Sequence, residues 1–263
     1  KGKEYTDDKG DFWKAEGELG VYRSCFTGEQ MHYLPEGPQV NTPYRMLVDR
    51  GRLFVVPGGR WAVQNSNPGH VMIYDNGHWK NITNSQITSQ TGKRALDFMN
   101  VAVDPQDAEH FFVTSYGTGV YEFQGEVVKN HYTARNSELA SAAPDVPDLY
   151  TRTDGAAFDY EGQLWIENAS NMDGTLIQFM QDGSQKALSL QNSGDPYCIH
   201  TPAELCIDMY NRQRKWMLAC RAGTAVVLLN DGGTMLDSFD DQLTVRTELH
   251  DQDGNPIIPE FYY

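Results

Sequence analysis

Between Pro57 and Gly69 the chain gathers Arg60, Trp61, Gln64, Asn65 and Asn67, a guanidinium and an indole among side-chain amides. Such a set suits recognition: the indole beside the guanidinium can stack on a sugar ring or anchor a protein partner, with packing of Trp61 over its own blade as the alternative. The segment is an insertion, because Phe54 and Tyr74 lie 20 residues apart where Phe112 and Tyr121 lie 9 apart. Extra loops are where contacts concentrate. Arg60, Trp61, Asn65 and, further along, Tyr116 are therefore the candidate ligand or partner residues.

Bond-breaking chemistry finds less support. The 36 acidic residues make carboxylate pairs inevitable, and no spacing singles out the two that glycoside hydrolysis needs. Serine-nucleophile motifs and phosphate loops are absent, and the seven histidines are scattered without an HxxxH pair. Asp251-Gln252-Asp253-Gly254-Asn255 begins like a calcium loop, but Pro256-Ile257-Ile258-Pro259 follows where further oxygen ligands are due, so a hairpin turn is expected. Cys25, Cys198, Cys206 and Cys220 lack CxxC spacing. Buried free thiols are expected at Cys206 and Cys220, with a disulfide between them as the alternative. No catalytic residue, metal site or cofactor is assigned.

A net charge of -15 and the absence of a Lys/Arg cluster exclude a phosphate backbone as partner. No apolar run approaches the roughly 18 residues of a transmembrane helix, and Lys1 to Gly10 lack the apolar core of a signal peptide. The 14 Tyr, 11 Phe, 24 Gly and 12 Pro suit many short strands joined by tight turns.

A repeat organises those strands. An apolar strand, an Asp/Gly turn and an aromatic-led strand recur at Asp7 to Trp13, Leu47 to Val55, Val101 to Val113, Ala157 to Ile166 and Cys206 to Leu218. The aromatic markers at positions 13, 54, 112, 165 and 216 are 41, 58, 53 and 51 residues apart, a pitch that suits four-stranded propeller blades with loop insertions. A blade is a small twisted sheet with two apolar faces, and stacking hides both. The expected fold is an all-β propeller of about five four-stranded blades, an arc or fragment of a larger propeller in preference to a closed five-bladed ring. The blades are expected near 1–42, 43–98, 99–153, 154–202 and 203–258, with 259–263 opening another.

The first turn, Thr6-Asp7-Asp8-Lys9-Gly10-Asp11-Phe12-Trp13, fits the S/T-x-D-x-G-x-x-W box of sialidase-type propellers. That box is a structural turn remote from chemistry, so a propeller glycosidase is a minor alternative.

Longer stretches carry a more specific likeness. Tyr44-Arg45-Met46, Gly51 through Trp61, and Pro68 through Trp79 resemble the first propeller of PorZ-like proteins of the Bacteroidetes type IX secretion system. Val101 to Pro105 followed by Phe112 through Phe123, with Tyr116 inside it, resembles a recurrent line of the same family. The blade motif is shared with propellers in the glycan-sensing periplasmic regions of hybrid two-component regulators. The resemblance implies a non-catalytic module at the cell surface or in the periplasm. Its implied partners are secretion-system or other envelope proteins, glycan or lipopolysaccharide. The sensor region of a hybrid regulator is the alternative. Asn211-Arg212-Gln213-Arg214 departs from the pattern by replacing the expected Asp/Gly turn in the fifth copy.

Overall fold

A computed structural model describes residues 3–16, 20–60, 66–169, 176–188, 201–220, 224–233 and 240–257. Their regular structure is almost all strand, laid down as consecutive antiparallel meanders. The first comprises β1 (Glu4–Thr6), β2 (Phe12–Ala15), β3 (Val21–Ser24) and β4 (Gln30–Tyr33). The second is β5 (Arg45–Asp49), β6 (Arg52–Val56), β7 (Val71–Asp75) and β8 (His78–Ile82). After α1 (Asn84–Thr91) comes the third, with β9 (Phe98–Val103), β10 (His110–Gly117), β11 (Gly119–Gln124) and β12 (Val127–Tyr132). A short turn of helix, α2 (Pro147–Tyr150), leads into the fourth, β13 (Thr151–Phe158), β14 (Leu164–Asn168), β15 (Leu176–Phe179) and β16 (Gln185–Leu188). The fifth is β17 (Pro202–Ile207), β18 (Arg214–Cys220), β19 (Thr224–Asn230) and β20 (Gln242–Arg246). Leu249 to Ile257, which the pitch counts with the fifth unit, instead form a separate hairpin of β21 (Leu249–His250) and β22 (Pro256–Ile257).

The turns show why each unit forms. In the first, Asp7 Oδ1 accepts from the Lys9 and Asp11 amides at 2.9 and 3.0 Å, while Oδ2 accepts from the Trp13 indole at 2.9 Å. In the fourth, Asp159 does the same for Glu161, Gln163 and Trp165. Asp208 does it for Tyr210, Asn211 and Trp216, so the fifth copy keeps the device without the Asp/Gly sequence. One carboxylate thus closes the turn and fixes the rotamer of the aromatic behind it. Asp251 closes the hairpin β21–β22 likewise, accepting from the Asp253 and Asn255 amides at 2.9 Å each. Its carboxylate is committed to a turn, as expected. The later turn of the second unit is Asn76-Gly77, with φ of 49° and 89°, the left-handed pair that a two-residue hairpin demands.

Stacking of the sheets makes the core. Phe54, Val56 and Ile73 of the second meander meet Phe111, Val113 and Phe123 of the third, with Phe54 edge-on to Phe111 at 5.4 Å. The third and fourth pack through Phe112, Leu164 and Phe179, and the fourth and fifth through Trp165, Met217 and Val227. Each fully buried side chain of this size contributes roughly 1.5–3 kcal/mol. Along β10 the residues alternate accordingly: Phe111 serves one neighbour and Phe112 the other. By contrast, no apolar side chain among the described residues of the first meander is fully buried.

Helix α1 was not foreseen from the repeat, yet its signals are local. Thr83 and Gln86 form a capping box, Gly92 ends the helix in the left-handed region, and Ile87 alone is buried, against the second–third core.

The cysteine expectation needs correction. Cys206 is exposed, not buried, and pairs across the ladder with Trp216. Cys220 is four residues along β18 from that partner, about 13 Å at the strand rise, well beyond disulfide reach. The side chain of Cys220, and all of Cys198, lie outside the described residues.

Candidate functional site

The inner strands β5, β9, β13 and β17 surround a cavity of about 670 Å³. Three of them carry an irregularity at the end away from the Asp turns. The ladder of β9 on β10 slips at Met99, that of β13 on β14 at Asp154-Gly155, and that of β17 on β18 at Glu204-Leu205. A bulge re-aims the side chain it contains. Here two of the re-aimed residues are acids, and Glu204 takes φ 65°, a left-handed conformation costly for any residue but glycine.

These acids meet two arginines from the second meander. Arg60 Nη2 donates to Asp154 Oδ1 at 2.9 Å, and its Nε stands 2.8 Å from Oδ2 in a close ion pair. Its Nη2 also stands 3.6 Å from Glu204 Oε1, and Arg45 Nη2 donates to Glu204 Oε2. Arg60 stacks 5.8 Å over the Tyr44 ring. Behind Asp154 lies Glu167, fully buried, whose Oε2 accepts the Gly155 amide at 2.8 Å. Gly155 has to be glycine: a Cβ would come within 2.4 Å of both that oxygen and the Leu205 nitrogen.

The electrostatics follow from this layering. Burial is the largest influence on Asp154 and pushes its carboxyl up to about 7, although Arg60 pulls the other way. Burial likewise lifts Glu167 well above the usual carboxylate range, and the neighbouring Asp154 charge adds to the lift. Only Arg45 and Glu204, with side chains 32% and 37% exposed, present this network to solvent.

Of the residues singled out from sequence, Arg60 belongs to this cluster, but as a buried strut and not as a displayed loop residue. Trp61 and Asn65 lie outside the described residues. Tyr116, at the end of β10, is 5% exposed, packs with Met99 and Ala169, and lies under the Arg152 guanidinium at 5.2 Å. Its ring is inside the protein and not set out for a ligand. Sequence reasoning missed Arg45, Asp154, Glu167 and Glu204. A signal was present: counting back four or five residues from the turn aspartates 49, 159 and 208 reaches Arg45, Asp154 and Glu204, charges inside otherwise apolar strands.

Among the described residues no group of three His, Cys, Asp or Glu side chains is arranged to hold a metal ion. No helix among them is long and apolar enough to cross a membrane.

Stacked meanders whose first strands ring a common cavity define a β-propeller-type fold. Comparison with solved structures agrees. The chain is similar to PorZ, described as an essential bacterial surface component of the type IX secretion system of Porphyromonas gingivalis, at 23% identity and a TM-score of 0.77. The match covers 95% of this chain and 34% of that one, so this chain spans about a third of the PorZ length. It is also similar to the extracellular domain of a hybrid two-component system from B. thetaiotaomicron, at 16% identity and a TM-score of 0.50, covering 92% and 27% of the two chains. Virginiamycin B lyase from Staphylococcus aureus shares the architecture at 10% identity and a TM-score of 0.52, covering 93% and 68%. No family model and no curated protein matches. At these identities the likeness establishes the fold, and PorZ-like describes its shape.

Proposed function

We propose that this chain is a non-catalytic propeller module of the bacterial cell envelope that recognises a protein or glycan partner at the end of its inner strands where Arg45 and Glu204 emerge. The observation that carries this reading is the break in the repeat. Turn aspartates do one structural job in the first, fourth and fifth units, whereas the far ends of the inner strands carry Arg45, Asp154 and Glu204, which meet with Arg60 at one place. Repetition serves stacking; a single, unrepeated constellation serves a partner.

A non-catalytic role is supported by the state of the acids. Asp154 is sealed in a close ion pair with Arg60, and Glu167 is covered on all sides. Neither oxygen set can reach a substrate. The likeness in fold to PorZ supports work beside secretion-system components, and lipopolysaccharide or glycan is the other ligand class in that setting. The likeness to the B. theta extracellular domain favours a second reading, the sensor region of a two-component regulator.

The test is capture from an outer-membrane extract by the immobilised 263-residue chain. Recovery of secretion components or lipopolysaccharide, lost on Glu204→Gly, supports the first reading. Saturable binding of neutral oligosaccharides alone supports the second, and release of reducing ends from a glycan panel would overturn both.

A further inference from the structure

Three gaps separate the second to fifth meanders, and at their turn-side mouths the molecule treats them differently. In the second–third gap, Arg52 opens β6 and reaches across: Nη1 donates to Glu109 Oε1 at 2.7 Å, Nη2 donates to the Ala108 carbonyl, and the guanidinium lies 5.0 Å over Phe54. In the fourth–fifth gap, Lys215 is fully buried, paired with Asp231, its ammonium 4.5 Å from the Trp165 ring of the facing sheet. A long cation seated on an aromatic ring thus plugs each of these mouths.

Among the described residues, the turn-side mouth of the third–fourth gap has no long cation seated on an aromatic ring. Its counterpart of Arg52 is His110, the first residue of β10, and that shorter ring is tied back onto its own sheet. Nδ1 lies 2.8 Å from Asp104 Oδ2 and Nε2 2.9 Å from Glu122 Oε1. A cavity of about 360 Å³ remains beyond it. Phe112, Phe158, Phe179 and Tyr132 give the cavity aromatic walls, with Phe112 6.0 Å from Phe158 and Tyr132 5.1 Å from Phe179. Asp104 adds a carboxylate, whereas that of Glu122 is already engaged, Oε1 by His110 and by the Lys129 ammonium at 3.4 Å and Oε2 by Asn130 and Tyr132; Gly162 and Gly183 form the rim on the fourth meander.

We infer that this cavity is a binding site for an arginine or lysine side chain presented by a partner protein, which supplies in trans the plug that Arg52 and Lys215 supply in cis. The chemistry is that of the two filled mouths: aromatic faces for the cation and the Asp104 carboxylate, whose Oδ1 meets the Gln106 amide and whose Oδ2 meets only His110 among the described residues. The chain's net charge of -15 draws a basic segment towards it. The site lies at the opposite end of the strands from Arg45 and Glu204, and stands whether or not that end binds anything.

The experiment is an NMR titration of the 263-residue chain with acetyl-Gly-Arg-Gly-amide, following the Gly162 and Gly183 amides. Its neutral isostere, acetyl-Gly-citrulline-Gly-amide, is the control and spermidine a second cation source. The expected result is saturable shifts with the arginine peptide and at least about tenfold weaker binding of the citrulline peptide, a difference of about 1.4 kcal/mol. His110→Arg, which places a long cation where Arg52 stands in the second meander, should abolish the shifts. Asp104→Asn, isosteric and milder, should weaken the arginine peptide and leave the citrulline peptide unchanged. Equal binding of the two peptides, or undiminished binding to both variants, would overturn the site. Shifts with spermidine but none with the arginine peptide would overturn the protein partner.

Discussion

The two ends of the inner strands obey different rules. At the turn end, Asp7, Asp159 and Asp208 each hold two backbone amides and one indole. At the opposite end, corresponding places hold Arg45, Asn100, Asp154 and Glu204: Arg45 donates to Glu204, Asp154 pairs with Arg60, and Asn100 accepts the Val101 amide. What closes the turns recurs from unit to unit; the arginine–acid cluster occurs once. The open mouth at His110 follows the same logic on the turn side, as the one gap of the three that departs from its neighbours.

The sharpest way to break the comparison is to remove the strut of the bulged end. Arg60→Met leaves Asp154 buried without its partner and should cost about 3–5 kcal/mol in urea unfolding. A cost under about 1 kcal/mol would mean that the cluster is loosely held. At the turn end the expected losses are smaller and graded by burial. Asp159→Ala strands the indole of the buried Trp165 and should cost about 1–3 kcal/mol. Asp208→Ala should cost less, about 0.5–1 kcal/mol, because the Trp216 side of that turn is open to water. Equal losses would show that burial does not set the scale.

The smallest effect concerns pH. Asp154 and Glu167 bind protons more tightly in the folded chain than in the unfolded one, so the stability they contribute is present below the ordinary carboxylate range and declines as pH rises above it, for Asp154 through about 7. Glu167→Gln keeps a neutral side chain at every pH. Melting temperatures measured from pH 5 to pH 8 should therefore fall less steeply for the variant than for the parent, and identical slopes would place the titration elsewhere.

The repeat was legible because its determinants are local: an aspartate, a glycine or asparagine two or three residues on, and an aromatic behind. Asp208 shows the limit of that legibility, since its turn closes through Tyr210 and Asn211 without a glycine. The axial cluster was harder to read, because its partners come from far apart in the chain. Arg45 and Glu204 are 159 residues apart and Arg60 and Asp154 are 94, and only the stacking of sheets brings them together. A bulge is also invisible to strict alternation, which assigns Asp154 and Glu204 to a face they do not occupy. Tyr116 illustrates the opposite error: an aromatic in a distinctive stretch that serves packing.

Glu204→Gly tests the recognition role of the bulged end most directly, because glycine suits the left-handed backbone at this position and preserves the bulge while deleting the carboxylate. Capture by this variant from an outer-membrane extract should fall at least about tenfold, a loss near 1.4 kcal/mol, with the melting temperature kept, while Asp208→Ala captures as the parent does. Unchanged capture by Glu204→Gly, or loss confined to Asp208→Ala, would contradict the assignment of recognition to that end.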